Sequence, residues 1–298
     1  MIGELGSLGA AICFSVAAVL YGSALQKTNP VSASIARCIC VGAIMGSLQF
    51  LIFFMYGIPT IPLDAIFLAM LSGIIGLAIG DILYLKSIQK IGITRAVPIT
   101  TIYPLFGIGL TVFLDIEPIR LSIVLGGLLV FVGLYQISAD GESELQLEKE
   151  QIYKGIAYAL LAAFVWSISL LFTDAAISLA GESNMNYAYS VNALRVLSAG
   201  LFLGLSIPFL DKSLRLIEIP GESLLALVVG GVISLGLGWF LLTFSFFHAP
   251  SSIVVPLSST TPFFSGILGL LVLDENVTKR SAFGSLVVVL GIFVLWLF

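Results

Sequence analysis

Four ionisable residues of this 298-residue chain lie within long apolar stretches: Arg37, Asp81, Asp174 and Arg195. A charge inside a membrane costs several kcal/mol unless it is paired or hydrated. The spacing therefore predicts two contacts, Arg37 with Asp81 near one face and Arg195 with Asp174 near the other. Each contact could act as a gate, a charge pair that breaks when its side of a path opens. The alternative is that these side chains reach the headgroup region and only fix the depth of their helices.

A second set of polar residues lies between two pairs of prolines, Pro98 with Pro104 and Pro256 with Pro262. A proline inside a helix removes a backbone donor and bends the helix, and in a membrane such breaks face protein or a wet cavity. We therefore predict that the intervening hydroxyls line a polar site near the middle of the bilayer. Hydrogen bonds between helices are the alternative. The hydroxyl residues are Thr100, Thr101, Tyr103, Ser258, Ser259, Thr260 and Thr261.

Aromatic and small polar residues on neighbouring segments complete the predicted site. Trp166 and Trp239 lie well inside their segments and could stack on a flat organic solute. Aromatic side chains in spanning helices more often fill the core or lie at the interface, which is the alternative for both. Tyr21 belongs to the same aromatic set. The further cavity candidates are Ser15, Tyr84, Ser169 and Thr243.

Patterns for catalysis or metal binding are weak in this sequence. Residues 78–81 approach the Gly-x-Gly-Asp signature of intramembrane aspartyl proteases, but that chemistry needs two carboxylates that share a proton. The three cysteines lie in apolar runs without metal-ligand spacing, and the apolar segments hold too few carboxylates for a magnesium path. We predict no enzyme activity, no catalytic or metal-binding residue and no cofactor.

The segments that carry these residues occur twice along the chain. A shift of 158 positions places Arg37 on Arg195 and matches glycines, prolines and glutamates without a gap. Such an internal repeat decides the architecture. The matched pairs include Gly73 with Gly231, Gly80 with Gly238, Pro98 with Pro256, Pro104 with Pro262, Glu117 with Glu275, Gly126 with Gly284 and Gly133 with Gly291.

The composition excludes a soluble globule. The sequence is 59% hydrophobic and 10% charged and has a mean hydropathy of +1.13, whereas soluble domains are about a quarter charged. No basic stripe with interleaved aromatics is present, so nucleic acid is not an expected ligand. A spanning helix needs about 20 mostly apolar residues, and ten stretches qualify. They are residues 5–25, 31–55, 64–85, 93–113, 119–138, 153–173, 188–210, 223–244, 251–273 and 279–298.

The ten stretches divide into two units of five, residues 1–138 and 153–298, joined by an acidic linker at 139–152. Because five is odd, the units must cross the membrane in opposite directions. The predicted fold class is therefore an all-α membrane protein with ten transmembrane helices arranged as two inverted five-helix repeats. Most Lys and Arg residues fall on one side, which the positive-inside rule places in the cytoplasm with both termini outside.

The doubled set of motifs resembles the EamA type of the drug/metabolite transporter superfamily over essentially the whole chain. Each copy has a glycine-containing third segment, a fourth segment with a proline pair, a following Glu and a glycine-spaced fifth segment. Trp166 matches the family's first-segment Trp in the second copy, whereas the first copy has Phe14–Ser15–Val16 in that region. Many family members keep their termini in the cytoplasm, opposite to the charge rule applied here.

The duplication, the composition and the resemblance together predict a secondary transporter, an exporter or an exchanger, that moves small organic metabolites such as amino acids by alternating access. The expected partners are a small-molecule substrate and membrane lipids, with a homodimer left open. The expected location is an integral, multi-pass position in the cell (inner or plasma) membrane. Few embedded charges favour a neutral, zwitterionic or amphipathic solute. A lipid or lipid-linked metabolite flippase of the same fold and a non-transporting membrane scaffold are the alternatives.

Overall fold

The computed structural model describes residues 2–113, 121–140, 149–179, 185–249, 254, 257–273 and 278–295. Within these ranges the chain forms α-helices and two π-helical segments, and contains no β-strand. Pro256, Glu117, Glu275 and most of the predicted linker lie outside the described residues. The helices are α1 Ile2–Leu25, α2 Pro30–Tyr56, α3 Leu63–Ser72, π1 Gly73–Gly80, α4 Asp81–Ile91, α5 Ile93–Thr100, α6 Tyr103–Phe113, α7 Leu121–Asp140, α8 Lys149–Ser178, α9 Met185–Leu205, α10 Ile207–Leu210, α11 Gly221–Gly231, π2 Val232–Gly238, α12 Trp239–Phe246, α13 Thr261–Val272 and α14 Lys279–Leu295.

Seven helical stretches among the described residues are long and apolar enough to cross a membrane. Three of them are composite: α3, π1 and α4 run on as one stretch, α11, π2 and α12 form another, and the stretch Ile93–Leu110 joins α5 to most of α6. The predicted stretch at 119–138 overlaps α7, and the stretches at 251–273 and 279–298 contain α13 and α14. The all-helical fold is confirmed in the part of the chain that the structure describes, and the count of ten spans stays a prediction.

Short turns with specific end residues separate consecutive helices of the first half. The Asn29 side chain accepts a hydrogen bond of 2.9 Å from the Val31 amide, and Pro30 occupies the first turn of α2. Both features favour a helix start, because the first amides of a helix lack backbone partners. Gly92 has a φ of +73° between α4 and α5, a conformation that glycine adopts without steric cost. These ends let each helix reverse direction within a few residues.

The two halves contact each other reciprocally through the equivalent helices α2 and α9. A Cβ atom added at Gly42 would lie 3.5 Å from the Val196 carbonyl oxygen, and one added at Gly200 would lie 2.8 Å from the Cys38 carbonyl oxygen. Positions 42 and 200, like 38 and 196, are one repeat length apart, so the same contact occurs twice with the halves exchanged. Reciprocity of this kind is characteristic of a twofold interface.

Helices α7 and α14, the last of each half, repeat the pattern. A Cβ at Gly133 would lie 2.7 Å from the Gly284 oxygen, and a Cβ at Gly291 would lie 2.9 Å from the Gly126 oxygen. Small residues here allow the two backbones to touch. The residue numbers rise along one helix as they fall along the other, so the equivalent helices are antiparallel. A twofold axis that relates antiparallel equivalent helices runs perpendicular to their length.

The third segment of each half contains a π-helical stretch at the same place in the repeat. The π1 segment ends at Gly80 and the π2 segment at Gly238, one repeat length apart. Asp81 and Trp239 follow directly and are therefore equivalent positions. Asn192 donates to the Leu235 carbonyl oxygen in π2 at 2.8 Å. Wide helical turns of this kind are frequent at functional sites.

The first helix of each half packs against the other half. Helix α1 contacts α11, π2, α12 and α13, and helix α8 contacts α3, π1, α4, α5 and α6. Most buried side chains in the centre of these contacts are alanine, isoleucine, leucine and valine. This exchange of first helices encloses a space whose walls come from both halves.

Candidate functional site

A cavity of about 80 Å³ lies between the two halves. That volume holds several water molecules, since each needs roughly 10–15 Å³ of such space. Of the residues predicted from the sequence, the cavity is lined by Tyr21, Arg37, Asp81, Tyr84, Thr100, Thr101, Tyr103, Trp166, Trp239, Ser258 and Thr261. It is also lined by Phe14, Val97, Leu170, Ser234, Leu235 and Leu242.

Several lining positions are equivalent between the two repeats. The cavity wall contains the position pairs 81 and 239, 84 and 242, 100 and 258, and 103 and 261. Each pair is separated by the repeat length of 158. A wall built from equivalent positions surrounds the axis that relates the halves, so the cavity lies where a movement of one half against the other would change its shape.

A buried ion pair forms one wall of the cavity. The Arg37 guanidinium nitrogen Nη2 lies 2.6 Å from the Asp81 oxygen Oδ2, and the two side chains are only 1% and 6% exposed. Asp81 is held at the start of α4 by the preceding π1 segment, whereas Arg37 comes from α2. Trp166 of α8 donates from Nε1 to the other Asp81 oxygen at 3.0 Å. The carboxylate therefore joins three helices.

The Trp166 side chain connects this ion pair to the π1 segment and to an aromatic neighbour. Its Nε1 also lies 3.2 Å from the Gly76 carbonyl oxygen in π1. Its ring centroid lies 5.1 Å from that of Tyr84. A Cβ added at Gly80 would lie 2.7 Å from Trp166. The glycines of π1 thus leave room for the indole, which is a fixed part of the cavity wall.

Tyr21 and Ser234 add a polar contact across the halves. The Tyr21 hydroxyl lies 2.5 Å from the Ser234 hydroxyl in π2, and the Arg37 guanidinium carbon lies 4.8 Å from the Tyr21 ring centroid. Ser234 was not among the predicted site residues. Its repeat equivalent is Gly76, so the doubled pattern carried no signal for it, and a lone Ser in an apolar run is common.

The proline-associated hydroxyls line the cavity and also bind their own backbone. Thr100 donates to the Ala96 oxygen at 3.0 Å, and Thr101 donates to the Val97 oxygen at 2.6 Å. These bonds lie within one helix, and each threonine side chain satisfies a nearby carbonyl while it still faces the cavity. The Tyr103 hydroxyl lies 3.3 Å from the Ser258 hydroxyl. Pro98 lies inside α5, Pro104 in the first turn of α6 and Pro262 at the start of α13.

Four predicted cavity residues lie in packed contacts away from the cavity lining: Ser15, Ser169, Thr243 and Ser259. Ser15 donates to the Thr261 oxygen at 3.0 Å and thereby joins α1 to α13. Ser169 donates to the Ser72 oxygen at 2.9 Å and joins α8 to α3. These two hydroxyls therefore form hydrogen bonds between helices.

The predicted contact between Arg195 and Asp174 is wrong. Arg195 is fully buried and donates from Nε to the Ser72 hydroxyl at 3.0 Å. Its guanidinium carbon lies 4.3 Å from the Trp239 ring centroid. Asp174 is exposed on α8. The reason is that Arg195 faces the end of α3 and the start of α12, whereas the Asp174 side chain lies on the outer side of its helix.

Comparison with known proteins confirms the resemblance drawn from the sequence. The model of the EamA-like transporter family matches residues 1–139 and 153–297. A protein of Archaeoglobus fulgidus, named only as an uncharacterized transporter, is 26% identical over 300 residues, which cover 100% of this chain and 99% of that protein. A solved structure described simply as "Crystal structure of protein" superimposes with a TM-score of 0.65 at 17% identity, over 98% of this chain and 95% of that one. At that identity the structural likeness shows the fold alone.

Proposed function

Because the chain belongs to the EamA-like transporter family, and so is an integral membrane protein, we propose that it is a secondary transporter of small organic metabolites. In this proposal ten spanning helices form two inverted repeats that work by alternating access. The observation that carries the proposal is the cavity between the repeats, whose wall uses equivalent positions of both halves. Carriers with inverted repeats bind their substrates at such an interface.

The antiparallel contacts between equivalent helices support the inverted arrangement. An axis perpendicular to spanning helices lies in the plane of the membrane, and it relates the outward-facing side of one half to the inward-facing side of the other. Rocking of the halves about the central cavity would then close one side while it opens the other.

The ion pair between Arg37 and Asp81 is the proposed gate contact of this cycle. It joins α2 to α4 beside the cavity, and its charges are shielded from lipid by Tyr21 and Trp166. Water that enters from one side would weaken the attraction, because the interaction of two charges falls as the surrounding dielectric constant rises. Opening would therefore separate the pair, and closing would restore it.

The cavity supports a compact polar or zwitterionic solute such as an amino acid, exported or exchanged. Its wall combines indole and phenol rings with hydroxyls, and binding sites for small molecules commonly pair an apolar lining with a few placed polar groups. The proposal places Trp239 and Thr101 in direct contact with the solute.

Counterflow in reconstituted vesicles tests this function. Vesicles that contain the purified protein are loaded with a mixture of unlabelled amino acids and diluted into a trace of one labelled amino acid at a time. We expect uptake above that of protein-free vesicles for at least one solute. Uptake no greater than that of protein-free vesicles for every labelled amino acid would refute transport of these solutes and favour a scaffold.

Two cavity variants and one control locate the path. Trp239→Ala and Thr101→Ala are expected to lose most of the exchange, because each removes a contact with the solute. Phe131→Ala, at a residue of α7 that is 69% exposed, is the matched control and is expected to keep the wild-type rate. Full exchange by both cavity variants would show that the solute takes another route.

A lipid or lipid-linked metabolite flippase is the second candidate, favoured by one observation. An apolar groove of about 510 Å³ runs between α13 and α14 and is lined by exposed residues such as Phe263 and Ile267. The groove could admit an acyl chain from the bilayer. Movement of a fluorescent phospholipid between leaflets of the same vesicles, without exchange of amino acids, would favour this candidate.

A further inference from the structure

Arg195 is a buried cation with two nitrogens that contact no acceptor. The side chain is 0% exposed. Its Nε donates to the Ser72 hydroxyl at 3.0 Å, whereas Nη1 and Nη2 have no hydrogen-bond partner. A guanidinium group carries five N–H donors. Four of them, those on the two Nη atoms, are therefore unused in this structure.

The repeat provides an internal reference for this arginine. Arg37 occupies the equivalent position in the first half, and its charge is balanced by Asp81 at 2.6 Å. The position equivalent to Asp81 is Trp239, and the Arg195 guanidinium carbon lies 4.3 Å from its ring centroid. An indole attracts a cation but accepts no conventional hydrogen bond and carries no charge. The second half therefore lacks the carboxylate that the first half has.

The charges around the cavity do not cancel. Among the described residues, the two arginines carry two positive charges and Asp81 carries one negative charge, which leaves one positive charge in excess. A buried charge without compensation is strongly destabilising. Trp239, which covers the Arg195 guanidinium, also lines the cavity. The uncompensated cation thus lies directly behind a wall residue of the proposed substrate site.

We propose that Arg195 binds a carboxylate group of the transported solute. The inference rests on the proposed function and names the chemical group that the site recognises. The planar guanidinium group offers paired N–H donors that match the two oxygens of a carboxylate. The solute carboxylate takes the place, against Arg195, that the Asp81 carboxylate takes against Arg37. The Trp239 indole moves off the guanidinium as the carboxylate enters and stacks on the remainder of the solute.

Matched acids and amides test the chemistry. The unfolding temperature of the purified wild-type protein is measured in detergent with propionate, alanine and leucine, and with propionamide, alaninamide and leucinamide. We expect at least one acid to raise the unfolding temperature by a few degrees, because a ligand that binds only the folded state stabilises it. The amide of that acid is expected to give no rise. Equal shifts for an acid and its amide, or no shift with any acid, would overturn the inference.

Equivalent substitutions in the two halves separate recognition from structure. Arg195→Gln is expected to abolish the acid response while the unliganded protein unfolds at the wild-type temperature or above, because an uncompensated charge is removed. Arg37→Gln, the matched control, is expected to unfold at a lower temperature, because Asp81 loses its partner. An Arg195→Gln protein that keeps the acid response, or that is destabilised as strongly as Arg37→Gln, would contradict the proposal.

A conservative variant keeps the test independent of folding defects. Arg195→Lys retains the charge without the planar fork, and we expect its dissociation constant for the responding acid to rise at least tenfold. An unchanged dissociation constant would exclude the guanidinium as the recognition group. Exchange by Arg195→Gln vesicles with the same preference for acids as the wild type would end this inference and leave transport in place, whereas the absence of exchange by the wild type would end the proposed function.

Discussion

The ion pair between Arg37 and Asp81 allows a quantitative test by a double-mutant cycle. The single variants are Arg37→Met and Asp81→Asn, and the third protein carries both. The two side chains are almost completely buried, and their charged atoms are 2.6 Å apart. Removal of one partner from a buried pair costs about 3–5 kcal/mol, because the other charge is left without compensation.

The surrounding contacts place each single variant near the lower end of that range. Without Arg37, Asp81 keeps its hydrogen bond from Trp166. Without the Asp81 charge, Arg37 keeps its contact with the Tyr21 ring at 4.8 Å. We therefore expect each single variant to lose about 3 kcal/mol of unfolding free energy. The double variant leaves neither charge stranded and is expected to lose about the same amount as one single variant, which gives a coupling of about 3 kcal/mol.

Equilibrium unfolding in mixed micelles with increasing SDS, followed by circular dichroism, provides the four free energies. A control cycle combines Arg37→Met with Phe131→Ala, which is expected to be additive within about 0.5 kcal/mol because the exposed Phe131 shares no partner with Arg37. Additivity within the same limit for Arg37 and Asp81 would show that the two residues do not depend on each other. The gate contact would then have no energetic basis.

Two further predictions test the packing and the topology of the halves. Gly73→Ala is expected to lose about 3 kcal/mol of stability in the same unfolding assay, since its Cβ would lie 2.1 Å from the Arg195 carbonyl oxygen. Gly107→Ala is the control, because a Cβ there meets nothing within 4 Å. It is expected to keep or slightly raise the stability, since alanine favours a helix more than glycine does. Single cysteines at Ile58 and Ile217, exposed residues in corresponding loops, are placed in a cysteine-free background, where an impermeant maleimide is expected to reach them from opposite sides of the membrane. Labelling of both from one side would contradict inverted repeats.

The repeat made much of the fold accessible from the sequence. A constant offset of 158 fixes which segments are equivalent, and the prediction of five apolar stretches per unit implies opposite directions in the membrane. The placement of Arg37 and Asp81 close together also followed from their segments, because an isolated charge in an apolar segment needs a partner. The offset further indicated that Asp81 and Trp239 are equivalent.

Other features depend on packing that no sequence pattern reports. The π1 and π2 segments have the apolar and glycine residues of an ordinary spanning helix, and they arise where Trp166 and Asn192 bind carbonyl groups of the widened turns. The pairing of Arg195 with Asp174 was predicted from the depth of the two residues in the membrane. Depth does not tell which side of its helix each residue occupies. Both residues lie on spanning segments, but Asp174 points outward from α8 while Arg195 points into the core.

A duplicated carrier begins with two chemically equal halves, so selectivity for an asymmetric solute has to arise where the copies have diverged. In the described residues one such divergence lies at the equivalent positions Asp81 and Trp239, each directly after a π-helical segment. Each residue faces the arginine of its own half. The backbone plan is common to both halves, whereas the partner of the arginine differs. Substitution of Trp239 is therefore expected to change which solutes bind, whereas substitution of the shared glycine Gly73 is expected to change stability.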